Sequence, residues 1–136
     1  FGIVARNGKV YAVVVSDTKH STLHGIIKKV VKKGSTIVTD NFKSYKGLNK
    51  LGYRHKVVNH GKWEYVRQDG RLNVHTNTIE GFWHGLKGQL NSTHYFVGKK
   101  YLQDYIDEIV MRYNYRDQEL FRILLHKSMG IGYPLA

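Results

Sequence analysis

The chain has 136 residues, 41% of them hydrophobic, which is enough for one domain with a packed core and excludes a disordered basic tail. Its formal charge of +12, from 22 Lys and Arg against 10 acids, favours a polyanionic partner. Cysteine is absent, which excludes disulfides and thiolate zinc sites, and no apolar run or signal peptide points to a membrane.

In chain order, Phe1–Ala5 and Lys9–Val15 are β-rich runs around Asn7-Gly8, a hairpin signal. Leu23, Ile26, Ile27, Val30 and Val31 have helical spacing, with Ser21 or Thr22 expected to cap the helix and Gly34 to end it. Thr36–Asp40 reads as a buried strand, followed by a short helix through Tyr45 and Leu48 that stops at Gly52, then a strand over His55–Asn59. This strand–helix–strand succession predicts parallel pairing. Asp69-Gly70 would turn a small hairpin between Glu64–Gln68 and Arg71–Val74. Helices are expected from about Thr78 to Leu90, from Tyr101 to Tyr113, and around Leu120–Leu125. Residues Gly130 to Ala136 are expected to fray.

Four side chains carry the chemical interest. Asp40 closes a β-branched strand; an aspartate there is commonly a turn or cap residue, but the carboxyl ends of parallel strands also form binding crevices. Glu80 has two readings of about equal weight. It can complete a capping box with Asn77, or serve as a metal-binding carboxylate at a helix start. Glu80, His84 and Lys87 stand at i, i+4 and i+7, which puts an oxygen ligand, an imidazole and a cation on one helix face. Asp17 reads as turn chemistry, Glu64 and Asp69 as solvated, and His55, His60 and His75 match no compact zinc spacing. Lys28, Lys29, Lys32 and Lys33 form a basic run of the kind that is usually a solvated face. Phe82 and Trp83 are expected in the core.

The segment from Val74 to Lys87 is similar to a motif of the form V-H-x-N-x-I-E-G-F-W-x-x-x-K, and the chain resembles the catalytic core of DDE-type insertion-sequence transposases that carry it. The resemblance also takes in Phe1-Gly2-Ile3-Val4, Thr39-Asp40 with Ser44-Tyr45 and Leu48, and His55-x-Val57-Val58-Asn59-His60. It continues through Tyr101-Leu102-Gln103-x-Tyr105-x-Asp107-Glu108 and Arg112-Tyr113-Asn114-x-Arg116, and so covers roughly residues 1 to 126.

The resemblance implies an α/β, ribonuclease H-like mixed sheet flanked by helices, with strand order 3-2-1-4-5 and C-terminal helices. Residues 1–126 would form the catalytic core and 127–136 a tail. The Asn7-Gly8 hairpin would supply strands 2 and 3, and Thr36–Asp40 strand 4; strand 1 and its catalytic Asp would precede Phe1, so the chain as it stands is expected to lack strand transfer. The implied activity of the parent is metal-dependent cutting and joining of DNA at the ends of a mobile element. Asp40 and Glu80 would be catalytic and would hold Mg²⁺ or Mn²⁺, two ions in the intact site. DNA would be contacted by Lys87, His84, Asn77, His75, Arg112 and Arg116, in an active assembly expected to be a homo-oligomer. The chain would act in the cytoplasm or nucleoid of a bacterium, or in the nucleus of a eukaryote. The competing class is a basic DNA-binding module derived from a transposase that grips DNA without cutting it. A basic RNA-associated protein is the third reading, disfavoured because no RNA-recognition motif is visible.

Overall fold

The computed structural model describes residues 1–6, 8–59, 67–69, 72–93, 98–118 and 124, without the side chains of 67–69, 72, 73 and 93. The chain is a mixed α/β protein that divides into two compact units. One consists of Phe1 and Val14–Gly85, the other of Gly2–Val13 and Leu86–Ala136.

In the first unit, helix α1 (His20–Val30) buries Leu23, His24 and Ile27 and leaves Lys28 and Lys29 exposed, as 3.6-residue periodicity requires. Neither Ser21 nor Thr22 caps it. Asp17 holds the start instead, accepting from the Lys19 backbone N–H at 2.9 Å and from the Thr22 hydroxyl at 2.7 Å. These two donors hold the Asp17 carboxyl below its ordinary range. The turn reading of Asp17 thus holds, and the residue placed at the positive end of the helix is a carboxylate. The helix ends at Val30, four residues before Gly34 in sequence, and the Val31 carbonyl then accepts from the Tyr53 hydroxyl at 3.0 Å.

Strand β3 (Thr36–Thr39) pairs in parallel with β4 (Arg54–Val57), in the register Thr36↔Arg54 through Thr39↔Val57. Backbone bonds Gly34–Gly52, Ser35–Arg54 and Thr39–Val58 extend the pairing at both ends. The helix expected between the strands is two 3₁₀ turns, Lys43–Tyr45 and Leu48–Leu51. Gly47 separates them with φ +87°, a left-handed conformation incompatible with a continuous α-helix and tolerated best by glycine. Gly52 takes the same φ and ends the second turn. Leu48, Tyr53 and Val58 are buried and anchor this segment to the core.

Strands β5 (Arg67–Asp69) and β6 (Leu72–Val74) form an antiparallel hairpin as expected, with three pairs among the described residues. Helix α2 (Asn77–Thr93) follows, and Val74, Phe82 and Leu86 are buried along it and just before it. Phe82 lies in the core as expected, while Trp83 is only half-buried, its ring 5.3 Å from that of Phe82.

In the second unit, β1 (Gly2–Val4) and β2 (Val10–Ala12) form an antiparallel hairpin, shorter than the sequence suggested, and α3 (Leu102–Asn114) packs on β2. A 3₁₀ turn, Lys99–Tyr101, leads into α3. Val10, Ala12, Ile106 and Ile109 are buried. The Asn114 side chain brackets Val10: its Oδ1 accepts from the Val10 N–H at 2.6 Å and its Nδ2 donates to the Val10 carbonyl at 2.9 Å. An amide thereby supplies what a neighbouring strand would have supplied.

The described strands pair only two by two, so a single mixed sheet is not formed among them. In the expected order a first strand would lie between the hairpin and β3, and no described strand takes that place. The helix expected around Leu120–Leu125 and the tail at 127–136 lie, apart from Leu124, outside the described residues. None of the described helices is long and apolar enough to cross a membrane.

Candidate active site

Asp40 follows the last residue of β3, at the carboxyl end of a parallel pair, and its side chain is exposed. There the ladder ends and local polar groups take over. The Phe42 N–H donates to Asp40 Oδ1 at 3.1 Å, an Asx-type turn, and the Thr39 hydroxyl donates to the Asp40 carbonyl at 2.7 Å. Thr39 is itself buried and lies 2.8 Å from His55 Nε2 on the neighbouring strand. Tyr45 is also close: burial first, and the Asp40 charge second, push its phenol above the ordinary value.

His55 is within electrostatic reach of a second histidine, His24. His24 is buried, stacks on His20 with ring centroids 3.7 Å apart, and its Nε2 has no hydrogen-bond partner among the described residues. Burial, then repulsion from His20 and Lys28, lowers its pKa against an opposing hydrogen bond donated to the Ser44 backbone. His55 is lowered by burial and by His24. Both rings are therefore held toward the neutral form.

Glu80 lies in the first turn of α2, exposed, in the same compact unit as Asp40. The start of the helix differs from expectation by one residue. Thr76, not Asn77, supplies the last carbonyl before the helix and accepts from Ile79 N and Glu80 N, both at 3.1 Å. The Thr76 hydroxyl donates to Glu80 Oε1 in a short hydrogen bond. Glu80 is thus tied to the residue four before it, whereas a capping-box carboxylate reaches back three.

The remaining sequence candidates fall into distinct settings. His75 is half-buried with Nδ1 unpartnered among the described residues, and Asn77 is exposed at the start of α2. His84 is exposed on the same helix, in the first unit; Lys87, also exposed, belongs to the second. Arg112 is already engaged by Glu108, donating to Oε1 from Nε at 3.0 Å and from Nη2 at 2.8 Å. Arg116 lies over the Tyr113 ring at 4.4 Å and donates to the Tyr113 carbonyl at 2.8 Å. His60 and Glu64 lie outside the described residues.

Among the described residues, no group of three or more His, Asp or Glu side chains has metal-holding geometry. Asp40 and Glu80 nevertheless present hard carboxylate oxygens, the donor type Mg²⁺ and Mn²⁺ prefer, and Mg²⁺ is commonly held by one or two protein carboxylates plus water and phosphate. The donor chemistry therefore fits such an ion.

Three features escaped the reading of the sequence. Thr39 and Thr76, each holding a neighbouring acid or its backbone, looked like ordinary β-branched residues, and no spacing rule singles them out. The charge distribution is the third: from Thr18 to Asn59 the only acid is Asp40, against ten Lys and Arg.

The chain combines an exposed carboxylate after a parallel strand and another at a helix start with a strong excess of basic residues. Residues 1–114 match the ISXO2-like transposase domain, and the chain belongs to that family. It is 31% identical over 106 residues to a Haemophilus influenzae protein named an uncharacterized transposase-like protein, an alignment covering 78% of this chain and 81% of that one. No solved structure is detectably similar.

Proposed function

We propose that the chain is catalytic-core sequence of a DNA transposase with a ribonuclease H-like fold, in which Asp40 and Glu80 supply metal-binding carboxylates for phosphoryl transfer. The observation that carries this is the placement of the two acids. Each is exposed within one compact unit, one at the carboxyl end of a parallel strand and the other in the first turn of a helix, inside the segment that matches the family. Bound there, Mg²⁺ or Mn²⁺ would activate the attacking water or 3′-hydroxyl and stabilise the leaving oxygen of an in-line displacement.

The chain's own residues have separable roles. Asp40 has Oδ1 turned to the Phe42 N–H, which leaves Oδ2 for a cation. Glu80 has Oε1 turned to Thr76. Lys87, two helical turns beyond Glu80, would hold a phosphate of the DNA backbone. The ten cations between Thr18 and Asn59 surround the lone Asp40 in sequence, and their field would draw a polyanion toward a carboxylate that alone would repel it.

The test uses the full-length protein. Asp40→Asn and Glu80→Gln should each reduce Mg²⁺- or Mn²⁺-dependent nicking of duplex DNA by at least about a hundredfold, on the order of 3 kcal/mol in the barrier. Both should leave DNA binding intact. Normal cutting by either variant would remove that residue from the site. Binding without any cutting by the unaltered protein would identify a DNA-gripping module instead.

A further inference from the structure

We infer that Thr39 and His55 are positioning residues for Asp40, forming a relay from strand β4 through the Thr39 hydroxyl to the Asp40 carbonyl that sets where the carboxylate points. This rests on Asp40 being a metal ligand, as proposed above.

The argument begins where the ladder ends. The last inter-strand bond on this side is from Val58 N to the Thr39 carbonyl at 2.9 Å. Asp40 is the next residue, beyond the sheet and exposed, where a backbone would ordinarily lose its order. Its carbonyl is instead held by the Thr39 hydroxyl at 2.7 Å. That hydroxyl has one proton, and it is used in this bond. The 2.8 Å contact between Thr39 Oγ1 and His55 Nε2 therefore needs the imidazole to donate, which selects the tautomer with hydrogen on Nε2. His55 is fixed in turn, its backbone N–H donating to Asn49 Oδ1 at 2.8 Å. Burial and the neighbouring His24 keep the ring toward neutrality, consistent with a single defined tautomer.

The relay constrains Asp40 from both sides. Thr39 holds the carbonyl, and the Phe42 N–H holds Oδ1, so the backbone torsions and the side-chain rotamer are both restrained and Oδ2 is presented in one direction. Outer partners of this kind orient a ligand without touching the metal, and their loss commonly costs metal affinity.

Two readouts on the full chain test this. One is the ¹⁵N order parameters of Asp40 to Phe42 without metal; the other is Mn²⁺ affinity by paramagnetic titration. Thr39→Val keeps the shape and removes the hydroxyl. It should lower the order parameters from about 0.85 toward 0.6 and weaken Mn²⁺ binding about tenfold. Thr39→Ser should restore both, and His55→Phe should behave like Thr39→Val. Unchanged order and affinity in Thr39→Val, with Asp40→Asn losing Mn²⁺, would overturn the relay and leave Asp40 as a ligand. Unchanged Mn²⁺ binding in Asp40→Asn would instead overturn the metal reading, with the order parameters still deciding whether the relay exists.

Discussion

The Thr76 hydroxyl is bonded to the Glu80 carboxylate one helical turn later, so the acid proposed for the metal site is held by the residue that opens its own helix. Thr76 is 8% exposed, so the bond is shielded on one side and its donor is poorly placed to find water. Thr76→Val should lower stability by about 1–2 kcal/mol, within the range for a hydrogen bond to a charged group. Thr76→Ser should be nearly neutral. Urea denaturation of the two variants measures the difference, and a loss in Thr76→Ser with none in Thr76→Val would mean that packing of the methyl group, not the hydroxyl, matters here.

In the second unit the corresponding element is Asn114. Its amide meets both backbone groups of Val10, a residue 4% exposed, so truncation strands a buried donor and a buried acceptor together. Asn114→Ala should cost about 2–4 kcal/mol, allowing 1–3 for each group left unsatisfied and some relief from water. Asn114→Asp keeps the acceptor but turns a carboxylate oxygen toward the Val10 carbonyl, so its loss should be at least that of alanine. Thermal denaturation orders the three proteins.

Acid should destabilise the fold through His24. Its folded pKa is depressed by burial, and the groups facing it are the stacked His20, the nearby Lys28, His55 on β4 and the Ser44 backbone. An unfolded histidine titrates near 6.5, so below that pH the unfolded chain binds more protons and stability falls with pH. The stability is present above about 6.5 and is lost as pH falls toward the depressed folded value, with His55 adding to the same slope. Denaturation midpoints between pH 7.5 and 5 should decline, and His24→Leu should flatten the decline.

Lysine and arginine should differ in DNA affinity because their present partners differ. Lys87 is exposed on α2, and Lys87→Ala should weaken duplex binding and reduce the salt slope by about one. Arg112 and Arg116 are occupied by Glu108 and by Tyr113. Arg112→Ala and Arg116→Ala should therefore change the slope by less than Lys87→Ala does. Titrations at several salt concentrations distinguish these outcomes.

Several elements were legible because their signals are local. The helical i, i+4 spacing of Leu23 and Ile27 and the pairing of β1 with β2 and of β5 with β6 each depend on residues a few positions apart. The β3–β4 parallel pairing followed from the intervening segment, even though that segment proved to be two 3₁₀ turns broken at Gly47. The helix caps were misplaced by a residue or more. Any nearby hydroxyl or carboxylate can satisfy a helix start, and Asp17 and Thr76 took roles expected of Ser21, Thr22 and Asn77.

The amino-acid order by itself determined the mixed α/β class and the family, because residue types, short spacings and ordered motifs encode both. Only the tertiary structure decided that Asn114 closes on Val10 across 104 positions and that His55 reaches Thr39 across 16. Such contacts are made by buried polar groups that must find a partner once water is removed. Which partner they find depends on where packing brings the backbone, and no local pattern records that.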